Sequence, residues 1–169
     1  PLLVVQGMPA IAAEREISAV SMKNFGDSLY VYDFGINMSG FCSLSICGEK
    51  GTKVTLKHAE IQKADGNIEM GNIDIYYKPL PDLAFQTDTY ILNGGEEEFT
   101  PHFTYHGFRY VEVKADRPVK LSQESLKAIF IHTAVEPVGR FSCSNELLNK
   151  IWKATNQSYL SNLMSIPTD

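Results

Sequence analysis

His58 and Glu60 have the residue types and the spacing that acid/base or metal chemistry uses. One residue separates them in a run of alternating polarity, so both side chains project on the same side of a predicted strand. A histidine beside a carboxylate can transfer protons or bind a metal ion. The pair also suits a hydrogen-bonded contact at an interface, which is what such a pair at the polar end of an apolar face favours.

A second polar group comprises His102, His106, Arg109 and Glu112. Gly107 interrupts a run of aromatic and β-branched residues at this point, and a bulge there would direct His106 and Arg109 toward a carbohydrate or a neighbouring domain. In the structural alternative, Arg109 pairs with a carboxylate while the aromatic neighbours fill the core. We expect contact between domains to be the role of this group.

Asp33 and Asn37 lie where a strand-like run ends in an Asp-Phe-Gly tripeptide. Their side chains could bind the hydroxyl groups of a sugar. An Asp-Phe-Gly at the end of a strand is more typical of a turn that places the aromatic ring in the core. We therefore expect a structural role for both residues.

Asp65, Asn67, Glu69 and Asp74 resemble a calcium-binding loop only loosely. The spacing of an EF-hand is missing, so a surface turn is favoured. The three cysteines show neither metal-binding nor disulfide spacing and are predicted to be buried thiols. From these patterns we predict no metal site and no cofactor.

Length and charge exclude several classes of protein. A chain of 169 residues can bury one core and the first element of a second. The net charge of -5 is mild and the charged residues are interspersed, so nucleic acid is not a predicted partner. No apolar run approaches the roughly 20 residues that span a bilayer, and the first residues do not resemble a signal peptide. The compartment stays open between cytoplasm, periplasm and secretion.

The elements that must position these residues follow a period of two as far as residue 135. Short strands with Gly, Pro and Asn between them predict an antiparallel β-sandwich. We expect residues 41–47 and 53–60 to form a hairpin, residues 86–92 and 98–105 to form a second pair, and residues 61–83 to run over the surface. The remaining predicted strand runs are 16–22, 29–32, 73–77, 108–113 and 126–135.

The period changes after Gly139 and predicts one C-terminal α-helix of about five turns. Ser142 or Ser144 is the predicted N-cap, and Pro167 is the predicted stop. We expect the apolar stripe to need a partner surface that these residues do not supply, either a further helical domain or a second copy in a homodimer. The stripe comprises Leu147, Leu148, Ile151, Trp152, Thr155, Tyr159, Leu163 and Met164.

An ordered series of short motifs resembles bacterial α-L-rhamnosidases of glycoside hydrolase family 78. The similarity runs from near the N-terminus to the last residue. The motifs that carry it are Tyr32-Asp33-Phe34-Gly35 with Asn37 and Gly40, His58-Ala59-Glu60, Asp88-Thr89-Tyr90, Gly94-Gly95, residues 103–112 (FTYHGFRYVE), Ser144-Asn145, Leu147-Leu148-Asn149 and residues 165–169 (SIPTD).

The resemblance implies a concanavalin-like, jelly-roll type β-sandwich that precedes an (α/α)6 catalytic barrel. Residues 1–20 would be an N-terminal connecting strand, residues 21–138 the sandwich, and residues 139–169 a linker and the first barrel helix. In the family, the stretch ending in Pro-Thr-Asp continues toward the general acid, and the general base lies further downstream. The resemblance therefore places no catalytic residue within this chain.

The family reaction is hydrolysis of terminal α-L-rhamnose from glycosides or polysaccharides with inversion. The resemblance implies that this chain is a non-catalytic support whose partners are the rhamnosylated substrate and the helical catalytic domain. A lectin-like carbohydrate-binding module and a purely structural spacer stay open as alternatives. The candidates for contact with substrate or with the neighbouring domain are Asp33, Asn37, His58, Glu60, His106 and Arg109.

Overall fold

The computed structural model describes residues 2–74 and 85–168 and is mainly antiparallel β-structure with one long helix near the C-terminus. The strands are β1 (Ile11–Ser18), β2 (Ser21–Asn24), β3 (Leu29–Gly48), β4 (Lys53–Ala59), β5 (Ile61–Gln62), β6 (Ile68–Glu69), β7 (Thr87–Ile91), β8 (Gly95–Phe99), β9 (His106–Ala115), β10 (Leu126–Thr133), β11 (Leu163–Met164) and β12 (Ile166–Pro167). The helices are α1 (Gly71–Asp74), the 3-10 helix η1 (Gln123–Ser125) and α2 (Glu146–Ser161).

Strand β3 connects the two halves of the main sheet. Its first part pairs with β2 and β9, and its last part pairs with β10 and β8. The sheet order is β1-β10-β3-β9-β4-β7, with β2 and β8 also attached to β3. Because one strand belongs to both halves, the sheet curls over itself and encloses a core, which confirms the predicted β-sandwich.

A bulge in the middle of β3 allows this change of partners. Asp33 pairs with Tyr110 of β9 and Met38 pairs with Phe108, so five steps along β3 match two steps along β9. Gly35 lies within the bulge at a φ of 74°, a conformation that glycine adopts without steric cost. The predicted bulge at Gly107 is wrong, because β9 runs unbroken through that residue and the extra residues are in β3.

The two predicted hairpins are also wrong. Three of their four strands form, but of residues 98–105 only 98–99 are in a strand, the end of β8. β4 pairs with β9 and β7, and β8 pairs with β3. Each short polar link therefore carries the chain between strands that are not hydrogen-bonded to each other. Alternation identified the faces of these strands, but it does not encode which strand lies beside which.

The sandwich buries residues on both faces of its β3–β9–β4 layer. The main core includes the fully buried Tyr32, Phe108 and Leu126. On the outer face, Val31 and Tyr110 pack in a second cluster that also contains Ala59, Ile68 and Met70. The described part of the predicted surface excursion, residues 61–74, thus covers the sheet.

Several smaller expectations have mixed outcomes. Asp65 forms the predicted turn, accepting hydrogen bonds from the backbone and side-chain nitrogens of Asn67. Residues 75–77 of the predicted strand at 73–77, and the side chain of Asp74, lie outside the described residues. Cys42 is buried, but Cys47 is exposed and Cys143 is half-buried, so the prediction of three buried thiols is wrong. No helix among the described residues is long and apolar enough to cross a membrane.

Helix α2 is shorter than predicted and is anchored to the sandwich at its end. Asn145 is the N-cap, with its side chain accepting from the backbone N–H of Leu147, so neither predicted serine fills that position. The helix ends at Ser161 rather than at Pro167, and Leu163 is buried in β11. The Thr133 hydroxyl donates to the carbonyl of Leu163 at 3.0 Å and accepts from the backbone N–H of Ser165 at 2.6 Å.

We expect a Gly40→Ala substitution to destabilise the sandwich by about 3 kcal/mol or more, because an added Cβ would lie 2.0 Å from the backbone oxygen of Ile129. Neither backbone can move without breaking the pairing of β3 with β10. Urea unfolding followed by circular dichroism measures the change. Gly139→Ala is the matched control, since nothing lies within 4 Å of its added Cβ. Equal midpoints for the two variants would contradict this account of the packing.

Candidate functional site

Three buried polar side chains lie together inside the sandwich, where β4, β7 and β9 each contribute one residue. His58 comes from β4, Asp88 from β7 and His106 from the start of β9, and all three are buried. The imidazole rings of His58 and His106 stack with their centroids 4.1 Å apart. We call these three residues the His-Asp-His cluster.

Hydrogen bonds fix the orientation of each ring in the cluster. Nδ1 of His58 lies 3.2 Å from the carbonyl oxygen of Gln86, which can only accept, so the His58 proton is on Nδ1. Nδ1 of His106 lies 2.8 Å from the side-chain oxygen of Gln86, whose amide nitrogen in turn donates to the carbonyl of Gly107. Nε2 of His106 lies 3.0 Å from Oδ2 of Asp88. One glutamine thus holds both histidine rings.

The electrostatics of the cluster favour a neutral His58 beside an ionised Asp88. Burial, with His106 adjacent, lowers the pKa of His58 to about 3. Burial raises the pKa of Asp88, but hydrogen bonds from His106 and from the Thr104 hydroxyl outweigh it, so the pKa lies below its usual value. Nε2 of His58 is buried and has no hydrogen-bond partner.

A second site forms at the bulge of β3, on the outside of the sandwich. Arg109 donates from Nε to Oδ1 of Asp33 at 2.8 Å and from Nη2 to Oδ2 at 2.9 Å. The backbone N–H of Gly35 donates to Oδ1 at 2.7 Å. The hydrogen bond from Arg109, aided by that from Gly35, keeps the pKa of Asp33 below its usual value despite partial burial. This fork holds the bulge in shape.

Helix α2 lies against the same bulge across a cleft of about 600 Å³. Asn37 donates from its side chain to Glu60 at 2.9 Å on the sandwich side of this cleft. Gln157 of α2 donates from its side chain to the backbone oxygen of Asn37 at 3.2 Å. We call this region the bulge–helix contact. Its hydrogen bonds join polar groups, and the cleft is also lined by Gly107, Lys153 and Ser161.

The structure separates residues that the sequence grouped together. His58 belongs to the buried His-Asp-His cluster, whereas Glu60 is exposed and bonds to Asn37. His106 and Arg109 are three residues apart on one strand and so project to opposite faces. The structural alternative for Arg109, pairing with a carboxylate, is what the structure contains.

Sequence reasoning missed Asp88 as a member of the cluster, and Gln86 and Thr104 as the residues that hold its side chains. Asp88 carried a usable signal, because alternation along β7 places it on the same side as Tyr90, facing inward. A carboxylate on the inward face of a strand requires a partner. Gln86 is recognisable only in the structure, where its backbone φ of 53° is unusual for a residue other than glycine.

The acids in both sites are held by hydrogen bonds rather than left available for proton transfer. Asp33 is paired with Arg109, Asp88 with His106 and Thr104, and Glu60 with Asn37. These contacts stabilise the sandwich and the bulge–helix contact. Chemically, the arrangement can rigidify a fold and present a polar surface.

Two family models match the chain. The bacterial alpha-L-rhamnosidase concanavalin-like domain matches residues 23–132, and the bacterial alpha-L-rhamnosidase 6 hairpin glycosidase domain matches residues 136–169. An α-L-rhamnosidase from Streptomyces avermitilis is 35% identical over 168 residues, which cover 99% of this chain and 15% of that protein. The chain thus spans about one sixth of the length of such relatives.

Solved structures have the same fold over nearly the whole chain. The α-L-rhamnosidase from Dictyoglumus thermophilum superposes with a TM-score of 0.85 at 40% identity, covering 95% of this chain and 17% of that one. The Streptomyces avermitilis α-L-rhamnosidase complexed with L-rhamnose superposes with a TM-score of 0.84 at 34% identity, covering 99% of this chain and 16% of that one.

We expect Asp33→Asn to lower stability at pH 7 by about 1 kcal/mol, since the half-exposed Arg109 is partly screened by solvent. The folded pKa of Asp33 lies below its unfolded value near 3.8, so its contribution is present above that pH and is lost as the pH falls through the folded pKa. The difference between wild type and variant should therefore shrink on acidification. Urea midpoints measured from neutral pH to about pH 3 give this profile.

Glu16→Gln serves as the control, because it removes a charge from the exposed pair between Glu16 and Lys127. We expect no measurable change in its midpoint. A constant difference between wild type and Asp33→Asn at every pH would show that the charge of Asp33 does not support the bulge.

Proposed function

Because the chain belongs to the bacterial α-L-rhamnosidase family, we propose that it is the non-catalytic β-sandwich, with the start of the helical catalytic domain, of an enzyme that hydrolyses α-L-rhamnosides. The substrate is a terminal α-L-rhamnose on a glycoside or polysaccharide, and the bond is cleaved with inversion. The sandwich ends near residue 138, and residues 139–169 form the linker and the first helix of the catalytic domain.

The observation that carries this proposal is the uncovered apolar side of α2. Leu147 is 64% exposed and Ile151 is 52% exposed, and Leu148 and Tyr159 are also exposed. The polar residues of the same helix, Gln157 among them, face the sandwich at the bulge–helix contact. Leu160 of the same helix packs against the main core, whereas Leu147 and Ile151 stay exposed. The side that carries these exposed residues is open to another partner, which we assign to the remaining helices of the catalytic domain.

The polar character of the bulge–helix contact suits a support between two domains. Interfaces between domains of one chain are commonly more polar than a protein core. The Asp33–Arg109 fork fixes the bulge, and the carbonyl of Asn37 in that bulge accepts from Gln157. The sandwich thereby fixes the position of the first helix of the catalytic domain. Asn37, Glu60 and Arg109 are the contact or positioning residues.

Inverting hydrolysis needs an acid and a base about 6.5 to 9.5 Å apart, with space for a water between sugar and base. The carboxylates of Asp33, Glu60 and Asp88 in the sandwich are each held by hydrogen bonds. We therefore assign the acid and the base to the part of the parent protein outside residues 1–169. The contribution of the sandwich to catalysis is rigidity, which keeps such a pair in position.

We expect the 169-residue chain to be inactive toward an aryl α-L-rhamnoside and the parent protein to hydrolyse it. Proton NMR of the first product should show β-L-rhamnose, because inversion changes the anomeric configuration. Release of the aryl group, followed by absorbance, measures the rates of both proteins. Retention of the anomer would contradict inversion alone.

Activity of the chain at a rate close to that of the parent protein would contradict the assignment of a supporting role. Titration calorimetry of the inactive chain with L-rhamnose distinguishes the lectin-like alternative. A support shows no heat of binding, whereas saturable binding at millimolar or lower concentration would favour a carbohydrate-binding module.

We expect the uncovered side of α2 to make the 169-residue chain self-associate through these residues as concentration rises. Multi-angle light scattering measures the mass, and the double substitution Leu147→Glu with Ile151→Glu should keep the chain monomeric. Lys150→Glu is the control for added negative charge on the same helix. A wild-type chain that stays monomeric at high concentration would show that this side needs no partner.

A further inference from the structure

We propose that the His-Asp-His cluster binds a divalent transition-metal ion, with zinc the ion that its ligands favour. His58, Asp88 and His106 each offer one ligand atom, and these atoms lie within 4.8 Å of one another. Nε2 of His106 and Oδ2 of Asp88 are 3.0 Å apart, close to the spacing of two ligands on a tetrahedral zinc ion. This site differs from the sequence-based expectation of no metal ligands and is independent of the proposed rhamnosidase function.

The hydrogen bonds around the cluster are those that metal-binding histidines require. A ligating histidine donates its other ring N–H to an oxygen acceptor, which fixes both tautomer and ring orientation. Here Nδ1 of His58 donates to the carbonyl of Gln86, and Nδ1 of His106 donates to the side-chain oxygen of Gln86. Nε2 of His58 is thereby left free for a metal, and Nε2 of His106, which faces Oδ2 of Asp88, is the second candidate ligand atom.

Asp88 is oriented in the same way. Its Oδ1 atom accepts from the hydroxyl of Thr104 at 2.7 Å, which leaves Oδ2 directed at His106. All three candidate ligands are therefore held by a second residue, either Gln86 or Thr104. Such outer contacts are a regular feature of metal sites.

The unpartnered Nε2 of His58 is the observation that separates a metal site from a plain hydrogen-bond network. Within residues 2–74 and 85–168, it is one of two buried side-chain polar atoms without a hydrogen-bond partner. Leaving a buried lone pair unsatisfied is unfavourable, and a cation would use it. His58 is fully buried, so the lone pair is not available to bulk solvent.

The chemistry of the ligands selects the kind of ion. Two imidazole nitrogens and one carboxylate oxygen suit zinc and similar transition metals, whereas calcium and magnesium prefer sets of oxygen ligands. Nε2 of His58 carries the free lone pair that coordination uses. Nε2 of His106, which lies 3.0 Å from Oδ2 of Asp88, would bind the ion without its proton, so binding would replace this hydrogen bond by two bonds to the metal.

Such an ion would have a structural role. The three ligands come from β4, β7 and β9, which are adjacent in the sheet, and the loop with Thr104 joins β8 to β9. Coordination would link the three strands through the ion. It would also give the buried Nε2 of His58 a partner. Ions that bind only the folded state raise its stability.

Titration calorimetry of the 169-residue chain with zinc chloride tests the proposal. We expect one ion per chain and a rise of several degrees in the thermal midpoint at saturating zinc. Cobalt(II) should give the visible absorption bands of a tetrahedral site, and zinc should displace the cobalt. Absence of zinc and cobalt binding by the folded wild-type chain at pH 8 would overturn the proposal without any variant.

Substitutions identify the ligands. His58→Gln and Asp88→Asn should each weaken zinc binding at least about tenfold, with folding checked by circular dichroism. His102→Gln is the matched control, because His102 is exposed on the neighbouring loop, and it should leave binding unchanged. Binding that survives His58→Gln or is lost in His102→Gln would place the ion elsewhere and overturn the assignment. If the cluster variants do not fold, the stoichiometry of zinc binding and the cobalt spectrum of the wild type decide.

Discussion

The sharing of strand β3 between the two halves of the sheet is the constraint on which the structure depends. β2, β8, β9 and β10 all pair directly with it. A strand can serve two layers only if its register changes on the way, and the bulge between Asp33 and Met38 makes that change. The bulge in turn needs the left-handed Gly35 and the pairing of Asp33 with Arg109. A local feature of six residues, 33–38, thus determines how a sandwich of more than a hundred residues closes.

Polar groups inside this sandwich are matched rather than avoided. Burying a charge is costly unless it is paired, and Asp88 is stabilised by His106 and Thr104. His58 remains neutral and keeps one nitrogen without a partner. The same division appears at the surface, where Asp33 is held by a bidentate arginine while the nearby Asn37 and Glu60 face the helix. One set of side chains therefore holds the interior of the sandwich together. A different set, on neighbouring strands, makes the contact with helix α2.

Alternation of polarity predicted the β-sandwich and most of its strands, because each strand has one face toward the core. Strand partners were not predictable, since Phe41 to Cys47 and Lys53 to Glu60 have suitable patterns and a short link yet lie against other strands. The position of the bulge was also missed, because Gly107 and Gly35 carry the same signal in the sequence and only packing distinguishes them. For the site, His106 and Arg109 were grouped together, but their spacing along β9 places them on opposite faces. Alternation along β7 places Asp88 on the inward face, but its neighbours are known only when β7 is placed beside β4.

The hydroxyl group of Thr133 holds together the two ends of the segment that contains helix α2. The chain leaves the sheet at the end of β10 and returns to that same residue through Leu163 and Ser165, so residues 134–162 form a closed excursion. Changing the length of the segment before the helix would alter the size of this excursion but not the point to which it returns. Natural insertions and deletions should therefore be tolerated between residues 134 and 145, while the direction in which the polypeptide departs after Ser165 stays the same.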